Sequence, residues 1–200
     1  PWEGSCFAVA GSNALAFSAR ESFLNVYNNF PNFNSPIEVN SGEEIISDIT
    51  TLYTHTLGNP TVQHHIDNHL SKTPNQTLQE LREVLSADTV NPRTLSFWHT
   101  SESKGHNVLP YKITKNEDVD GFYSINIYDN ANALDFDATI EIKSEGNNGN
   151  GEWYSLTYWG WGGNNKLILE LDASTYLTPP TLFWIPPKWN NNLVAGQEKS

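Results

Sequence analysis

Methionine is absent from the 200 residues, and cysteine occurs only once, at Cys6. A single cysteine excludes an intrachain disulfide and a metal site built from cysteine ligands, so this thiol serves either packing or chemistry. No apolar stretch approaches the ~20 residues that a membrane-spanning helix needs, and we therefore expect no membrane insertion. Because position 1 is not methionine, we expect the chain to be an excised piece of a longer polypeptide.

Positive charge is also scarce: 11 Lys and Arg against 23 Asp and Glu give a formal net charge of -12. Nucleic acids and anionic membranes bind basic patches, so neither is expected as a partner. The 7 Trp, 8 Tyr and 9 Phe exclude a disordered chain. We expect one domain, 1–200, that is a monomer. Few lysines, many asparagines and the sequon Asn75-Gln76-Thr77 favour an extracellular or cell-surface location.

Hydrophobic spacing divides the chain into two halves. Residues 1–93 are predicted to be mainly helical, with helices over 5–20, 41–57 and 61–70 and another that begins at Thr73. From 94 to 186 the period changes to two, which predicts short strands separated by Gly, Asn, Asp and Pro turns. Residues 187–200 are predicted to be a tail. Helices followed by strands predict an α+β fold with a crevice where the halves meet.

Cys6 directly precedes the first helical segment, in the string Gly4-Ser5-Cys6-Phe7-Ala8. A thiol at a helix N-terminus faces unpaired backbone N–H groups and the positive end of the helix dipole, which favour the thiolate. A nucleophilic cysteine also needs a base within hydrogen-bonding reach and a group that orients the base.

His106 is the strongest candidate for the base, because Gly105-His106 begins a predicted strand. If this strand pairs with the next one as a hairpin, Asp129 lies opposite His106, provided that a bulge or an asymmetric loop adjusts the register. The other histidines with a predicted position, His55, His64, His65 and His69, are interpreted as solvated surface residues that form no metal site. The turn at 116–121 has oxygen side chains at alternate positions, as a calcium loop has. A plain turn is preferred, because position 127 is Ile and strands flank the loop.

Three motifs in this order resemble the papain-like cysteine peptidases: a Gly-Ser-Cys-aromatic-Ala run, Gly-His at a strand start, and an acidic residue after the next strand. The strings GHNVLPYKI and INIYDNAN look most like bacterial domains related to double-glycine peptidases. The resemblance implies a papain-like α+β fold, with a helical half packed on an antiparallel sheet or half-barrel. It implies Cys6 as nucleophile, His106 as base and acid, and Asp129 as orienting residue, acting on a polypeptide without a cofactor or metal.

The same resemblance raises two further expectations. The family's oxyanion-hole side chain, usually Gln, precedes the cysteine, and we expect it upstream of Pro1. The string YWGWGGNN at 158–165 superficially resembles the Trp-Gly segment of plant-type papains. Trp159 and Trp161 are predicted to pack as a crevice wall, where they would also contact substrate.

Two other functions are compatible with this chain order. A transglutaminase-like acyl transferase uses the same Cys-His-Asp order but passes the acyl group to an amine. A catalytically inactive binding or adhesion module would keep the fold alone. The sequence favours the cysteine peptidase, which would form a thioester intermediate on Cys6.

Overall fold

The computed structural model of the chain describes residues 6–30, 43–69, 71–87, 92–101, 104–132, 134–135, 137–158, 160–164 and 166–178. Its helices precede its strands, as predicted. They are α1 Cys6–Ser18, α2 Arg20–Val26, α3 Glu43–Thr54, α4 Asn59–Asn68 and α5 Pro74–Ser86, with a 3-10 turn over His55–Leu57. The first predicted helix, 5–20, corresponds to α1, which ends where Ala19 leaves the helical conformation, and α2 was not predicted.

The start of α5 is set by its own sequence. The Thr73 hydroxyl accepts a hydrogen bond from the Gln76 N–H at 3.3 Å, and the Gln76 side chain accepts one from the Thr73 N–H at 2.8 Å. Pro74 occupies the first helical turn, where the missing N–H costs nothing. This reciprocal capping box confirms the predicted helix start.

The strands form one antiparallel sheet of curled shape. They are β1 Arg93–Trp98, β2 Gly105–Lys115, β3 Phe122–Tyr128, β4 Thr139–Lys143, β5 Glu152–Ser155, β6 Gly162–Gly163 and β7 Leu167–Asp172. Their order across the sheet is β6-β5-β4-β3-β2-β1-β7, so the last strand crosses over to pair with the first. The fold is α+β. The last part of the predicted β half, 179–186, and the tail at 187–200 lie outside the described residues.

Two hydrophobic cores lie beside each other. One fills the inner face of the sheet under α5 and includes Leu81, Phe97 and Trp153. The other joins α1, α2 and α3 to the 3-10 turn Ala173–Leu177 and includes Phe23 and Tyr176. Helix α1 contacts the elements of the second core and also β1 and β2, so it connects the two cores.

The hairpin turn between β2 and β3 is closed by its own side chains. Asn116 Oδ1 accepts hydrogen bonds from the backbone N–H groups of Asp118 and Val119, at 2.9 and 3.0 Å. Gly121 adopts a φ of 70°, which a glycine accepts without strain. These bonds support the interpretation as a plain turn.

The sequon at Asn75 has a structural role in the folded chain. The Asn75 Nδ2 group donates hydrogen bonds to the carbonyl oxygens of Ser144 and Gly149, at 2.8 and 2.7 Å. Thr77 is fully buried, and its hydroxyl donates to the Leu167 carbonyl at 2.8 Å. The sequon therefore ties α5 to the 144–149 loop and to β7.

The prediction that His55 and the α4 histidines are solvated surface residues is wrong. His55 is buried and packs on the Tyr176 ring. His64 Nε2 lies 2.9 Å from the Leu169 carbonyl, and His65 Nε2 lies 2.8 Å from the carboxylate of Glu170, which is fully buried on β7. The imidazoles of His64 and His65 thus attach α4 to β7.

Among the described residues, the structure contains no helix that has both the length and the apolar character to cross a membrane.

Candidate active site

Helix α1 places Cys6 at its first residue, where the helix begins. The residues that follow are buried on several sides, and their small side chains allow close approach. At Gly11 an added Cβ would lie 3.4 Å from the Tyr176 ring, so a larger residue would push this ring away. Burial of the helix thus fixes the position of the half-exposed Cys6.

Strand β2 places His106 at its second residue, opposite Phe97 of β1. The Phe97 and His106 rings meet edge to face with centroids 5.6 Å apart. On the other face of the sheet, a Cβ at Gly105 would lie 2.7 Å from the Trp98 indole. Glycine is therefore required at 105, because the indole occupies the space beside the strand that carries the imidazole.

Asp129 follows the last residue of β3, and its carboxylate meets the imidazole. The His106 Nε2–H donates to Asp129 Oδ1 at 2.8 Å. The predicted contact is present, but the predicted register is wrong. Tyr128 pairs with Leu109, so the register carries Asp129 towards Val108 and not His106, and an extra residue at Tyr111 forms the bulge. The two side chains meet along the diagonal of the ladder, which long polar side chains can span.

Tyr158 and the backbone of Ala131 complete the environment of the Asp129 carboxylate. The Tyr158 hydroxyl donates to Asp129 Oδ2 at 2.6 Å, and the Ala131 N–H donates to Oδ1 at 2.9 Å. The carboxylate is fully buried and accepts three hydrogen bonds. A buried charge needs such partners, and here they hold it in one orientation.

The thiol of Cys6 also hydrogen-bonds the His106 side chain. Because Asp129 occupies Nε2, Nδ1 is the ring nitrogen that remains for Cys6. Cys6, His106 and Asp129 therefore form a continuous chain of contacts from the start of α1 to the end of β3.

The electrostatics favour a charged imidazole. Burial alone lowers the pKa of His106, but the hydrogen bonds and charges of Asp129 and Cys6 outweigh it and raise the pKa to about 9. Burial alone raises the pKa of Asp129, but the hydrogen bonds from His106 and Tyr158 hold it below its usual value. Both changes favour an imidazolium next to a carboxylate at neutral pH.

Trp161 belongs to an aromatic cluster beside this site. Its ring lies 5.6 Å from Phe97 and 5.3 Å from Tyr158, which in turn lies 5.0 Å from the His106 ring. Trp161 packs on the core but stays partly exposed, as a crevice wall requires. Trp159 lies outside the described residues, and a substrate contact by either tryptophan stays a prediction.

Sequence reasoning missed Tyr158 as a member of the site. It considered this residue only as part of the string YWGWGGNN. The sequence carries no local signal for this role, because the partner of the Tyr158 hydroxyl, Asp129, lies 29 positions earlier in the chain. Among the described residues, no three His, Cys, Asp or Glu side chains are grouped so that they could hold a metal ion.

Comparisons of the chain with protein-family models, with curated proteins and with solved structures give no match.

Proposed function

We propose that the chain is a cysteine hydrolase, and specifically a peptidase, with Cys6 as nucleophile, His106 as acid and base, and Asp129 as orienting group. One observation carries the proposal: a single imidazole touches both the only thiol and a fully buried carboxylate. Packing alone gives no reason for this arrangement, because an apolar residue would fill the space at lower cost.

In the proposed resting state, His106 carries the proton that it later gives to the leaving group. The pKa of His106, raised to about 9, keeps the imidazole protonated at neutral pH. An adjacent imidazolium and the helix N-terminus both favour the thiolate form of a cysteine. The pair is therefore ready to attack without a separate step that removes a proton.

In the first half-reaction, the thiolate attacks the carbonyl carbon of the scissile amide. A C–S bond forms and the carbonyl oxygen takes the negative charge, which the N–H groups at the start of α1 can stabilise. The tetrahedral intermediate then collapses: the C–N bond breaks, and His106 gives its proton to the leaving amine. The products are a thioester on Cys6 and a free amine.

In the second half-reaction, water hydrolyses the thioester. Neutral His106 takes a proton from the water as its oxygen attacks the carbonyl carbon. When the C–S bond breaks, the peptide leaves as a carboxylic acid, which gives its proton to solvent at neutral pH, and the Cys6 thiolate with its imidazolium partner is restored. Asp129 keeps the imidazole in position throughout both halves.

The peptidase class rests on the resemblance of the sequence motifs, and the aromatic cluster supports it. Tyr158 borders the imidazole and Trp161 packs on Tyr158, so the two partly exposed rings offer an apolar surface to a polypeptide side chain. The transferase alternative has no observation in its favour, and the test below keeps it separate.

The test uses a mixture of unstructured peptides, with cleavage products identified by mass spectrometry. Cys6→Ala should abolish cleavage with little change in melting temperature, because a half-exposed thiol contributes little packing. His106→Ala should be nearly as inactive, since residues that act as a unit each remove most of the rate. Asp129→Ala should retain more activity than either.

The matched control is His69→Ala, which removes a half-buried histidine that follows α4 and packs on Trp98, on the face of the sheet opposite to His106. It should cleave as the wild-type chain does. Full cleavage by His106→Ala, or equal losses of stability and cleavage in Cys6→Ala, would end the proposal. Products joined to an added amine, in place of free acids, would replace hydrolysis by acyl transfer.

A further inference from the structure

Tyr158 contacts both the acid and the base of the proposed triad. Its hydroxyl donates to Asp129 Oδ2 at 2.6 Å, and its ring lies 5.0 Å from the His106 ring at an angle of 52°. It comes from the loop after β5, far in sequence from both residues. The Tyr158 N–H donates to the Ser155 hydroxyl, and the Tyr158 carbonyl accepts from the Trp161 N–H, so the backbone of this loop is fixed on both sides.

The hydroxyl and the imidazole compete for the same carboxylate. The Tyr158 hydroxyl directs the positive end of its dipole at Asp129, which reduces the attraction that this carboxylate exerts on the His106 proton. The hydroxyl itself is firmly protonated, because burial, followed by the bond to Asp129, raises the pKa of Tyr158 above its ordinary value. It acts as a permanent donor.

A general acid must release its proton during catalysis. An imidazolium held too strongly by a buried carboxylate would be a poor acid towards the leaving amine, because proton transfer is most efficient near the operating pH. A second donor on the carboxylate moderates that attraction and also prevents rotation of the carboxylate.

We propose that Tyr158 is a positioning residue of this site, which fixes the Asp129 carboxylate and moderates its hold on the His106 proton while its ring covers the imidazole. The catalytic part of this assignment rests on the proposed hydrolase function. The structural part, the control of the His106 proton by a tyrosine hydroxyl, stands on the geometry alone.

Three titratable side chains are seen to act on His106, each from a different element. They are Cys6 at the start of α1, Asp129 after β3, and Tyr158 after β5, whereas the contact from β1 is the apolar Phe97. The Tyr158 hydroxyl hydrogen-bonds Asp129, so its loss should change the proton affinity of His106 mainly through that carboxylate.

The experiment measures the titration of His106 by NMR of the whole chain labelled with ¹⁵N-histidine, with the resonance assigned through His106→Gln. In Tyr158→Phe the ring remains and only the hydroxyl is lost. The pKa of His106 should rise by about one unit, the size expected when one hydrogen bond to a charged group is removed. Peptide cleavage should fall roughly three- to tenfold, with its alkaline limit at higher pH.

Tyr154→Phe is the matched control, because it removes the same atom from a half-exposed tyrosine of β5 whose ring packs on Phe122. Its His106 titration should match that of the wild-type chain. An unchanged or lower pKa of His106 in Tyr158→Phe would overturn the proposal. The NMR result does not depend on turnover, so a higher pKa in a chain that cleaves nothing would retain the positioning role and reject the hydrolase.

Discussion

Removal of the negative charge of Asp129 is the most direct test of the site. Asp129→Asn keeps the size of the side chain and an acceptor oxygen but removes the negative charge. The pKa of His106 stands at about 9, and that of an ordinary histidine at 6.5. The difference of about 2.5 pH units corresponds to about 3 kcal/mol of preference for the charged ring, at about 1.4 kcal/mol per unit. His106 is nearly buried, so solvent screens this interaction little.

In Asp129→Asn, only Cys6 still favours the imidazolium, and burial opposes it. We expect the pKa of His106 to fall by one to two units, which is about 1.4–2.8 kcal/mol. Titration of ¹⁵N-labelled histidine measures this fall directly. The rate at which iodoacetamide alkylates Cys6, measured against pH, should report the fall in the pKa of His106 as well. The pH at which the neighbouring imidazolium is lost should fall by the same amount.

Asp120→Asn is the control for the loss of one negative charge, since Asp120 is exposed in the β2–β3 turn, where it pairs with Lys115 and the backbone of Gly121. It should leave the titration of His106 unchanged. If His106 still titrates near 9 in Asp129→Asn, the carboxylate does not hold the imidazolium, and the reasoning from burial and hydrogen bonding is wrong.

Two further substitutions test the framework around the site. Gly105→Ala would place a Cβ 2.7 Å from the Trp98 indole, and thermal unfolding should show a loss of about 1–3 kcal/mol; an unchanged melting temperature would contradict the close approach. Asn75→Ala removes both donors to the Ser144 and Gly149 carbonyls, and urea unfolding should show that the free energy of unfolding falls by about 1–3 kcal/mol. Asn75→Asp keeps the shape of the side chain but cannot donate, so its stability should fall by as much. Full stability in either variant would contradict the structural role of the sequon.

Local sequence signals correctly predicted the features that depend only on residues close together in the chain. The start of α5 was predicted because Thr73, Pro74 and Gln76 satisfy the first turn among themselves. The change from helical to alternating spacing of apolar residues likewise predicted the α+β class. Helical spacing buries one face of a helix, and alternation buries one face of a strand.

The contact between His106 and Asp129 was predicted for a partly wrong reason. Counting residues about the turn placed them directly opposite each other, but Lys115 pairs with Tyr123, so the turn is centred on Val119, and the bulge at Tyr111 recovers only one residue of the difference. The composition of a strand does not show where an extra residue is accommodated. The contact forms nevertheless, because the His106 imidazole reaches across the diagonal of the ladder to the Asp129 carboxylate.

The histidines of α4 show the limit of local reasoning more clearly. The sequence around His65 is polar and predicts exposure, but its partner Glu170 lies 105 positions later in the chain. Tyr158 was missed for a similar reason, since its partner Asp129 lies 29 positions earlier, beyond β4 and β5. Neither pairing leaves a local pattern.

The site also lies across the boundary between the two hydrophobic cores. Cys6 belongs to the helix that is buried in the α1–α3 core, whereas His106 and Asp129 belong to the sheet whose inner face forms the other core. The distance between sulfur and imidazole is therefore set by the docking of one core on the other, and neither core alone determines it. A displacement of about one ångström at this interface would separate the thiol from the imidazole while both cores remained folded. The reactivity of the Cys6 thiol should therefore report the packing of one core on the other. It should disappear at denaturant concentrations lower than those at which the secondary structure melts.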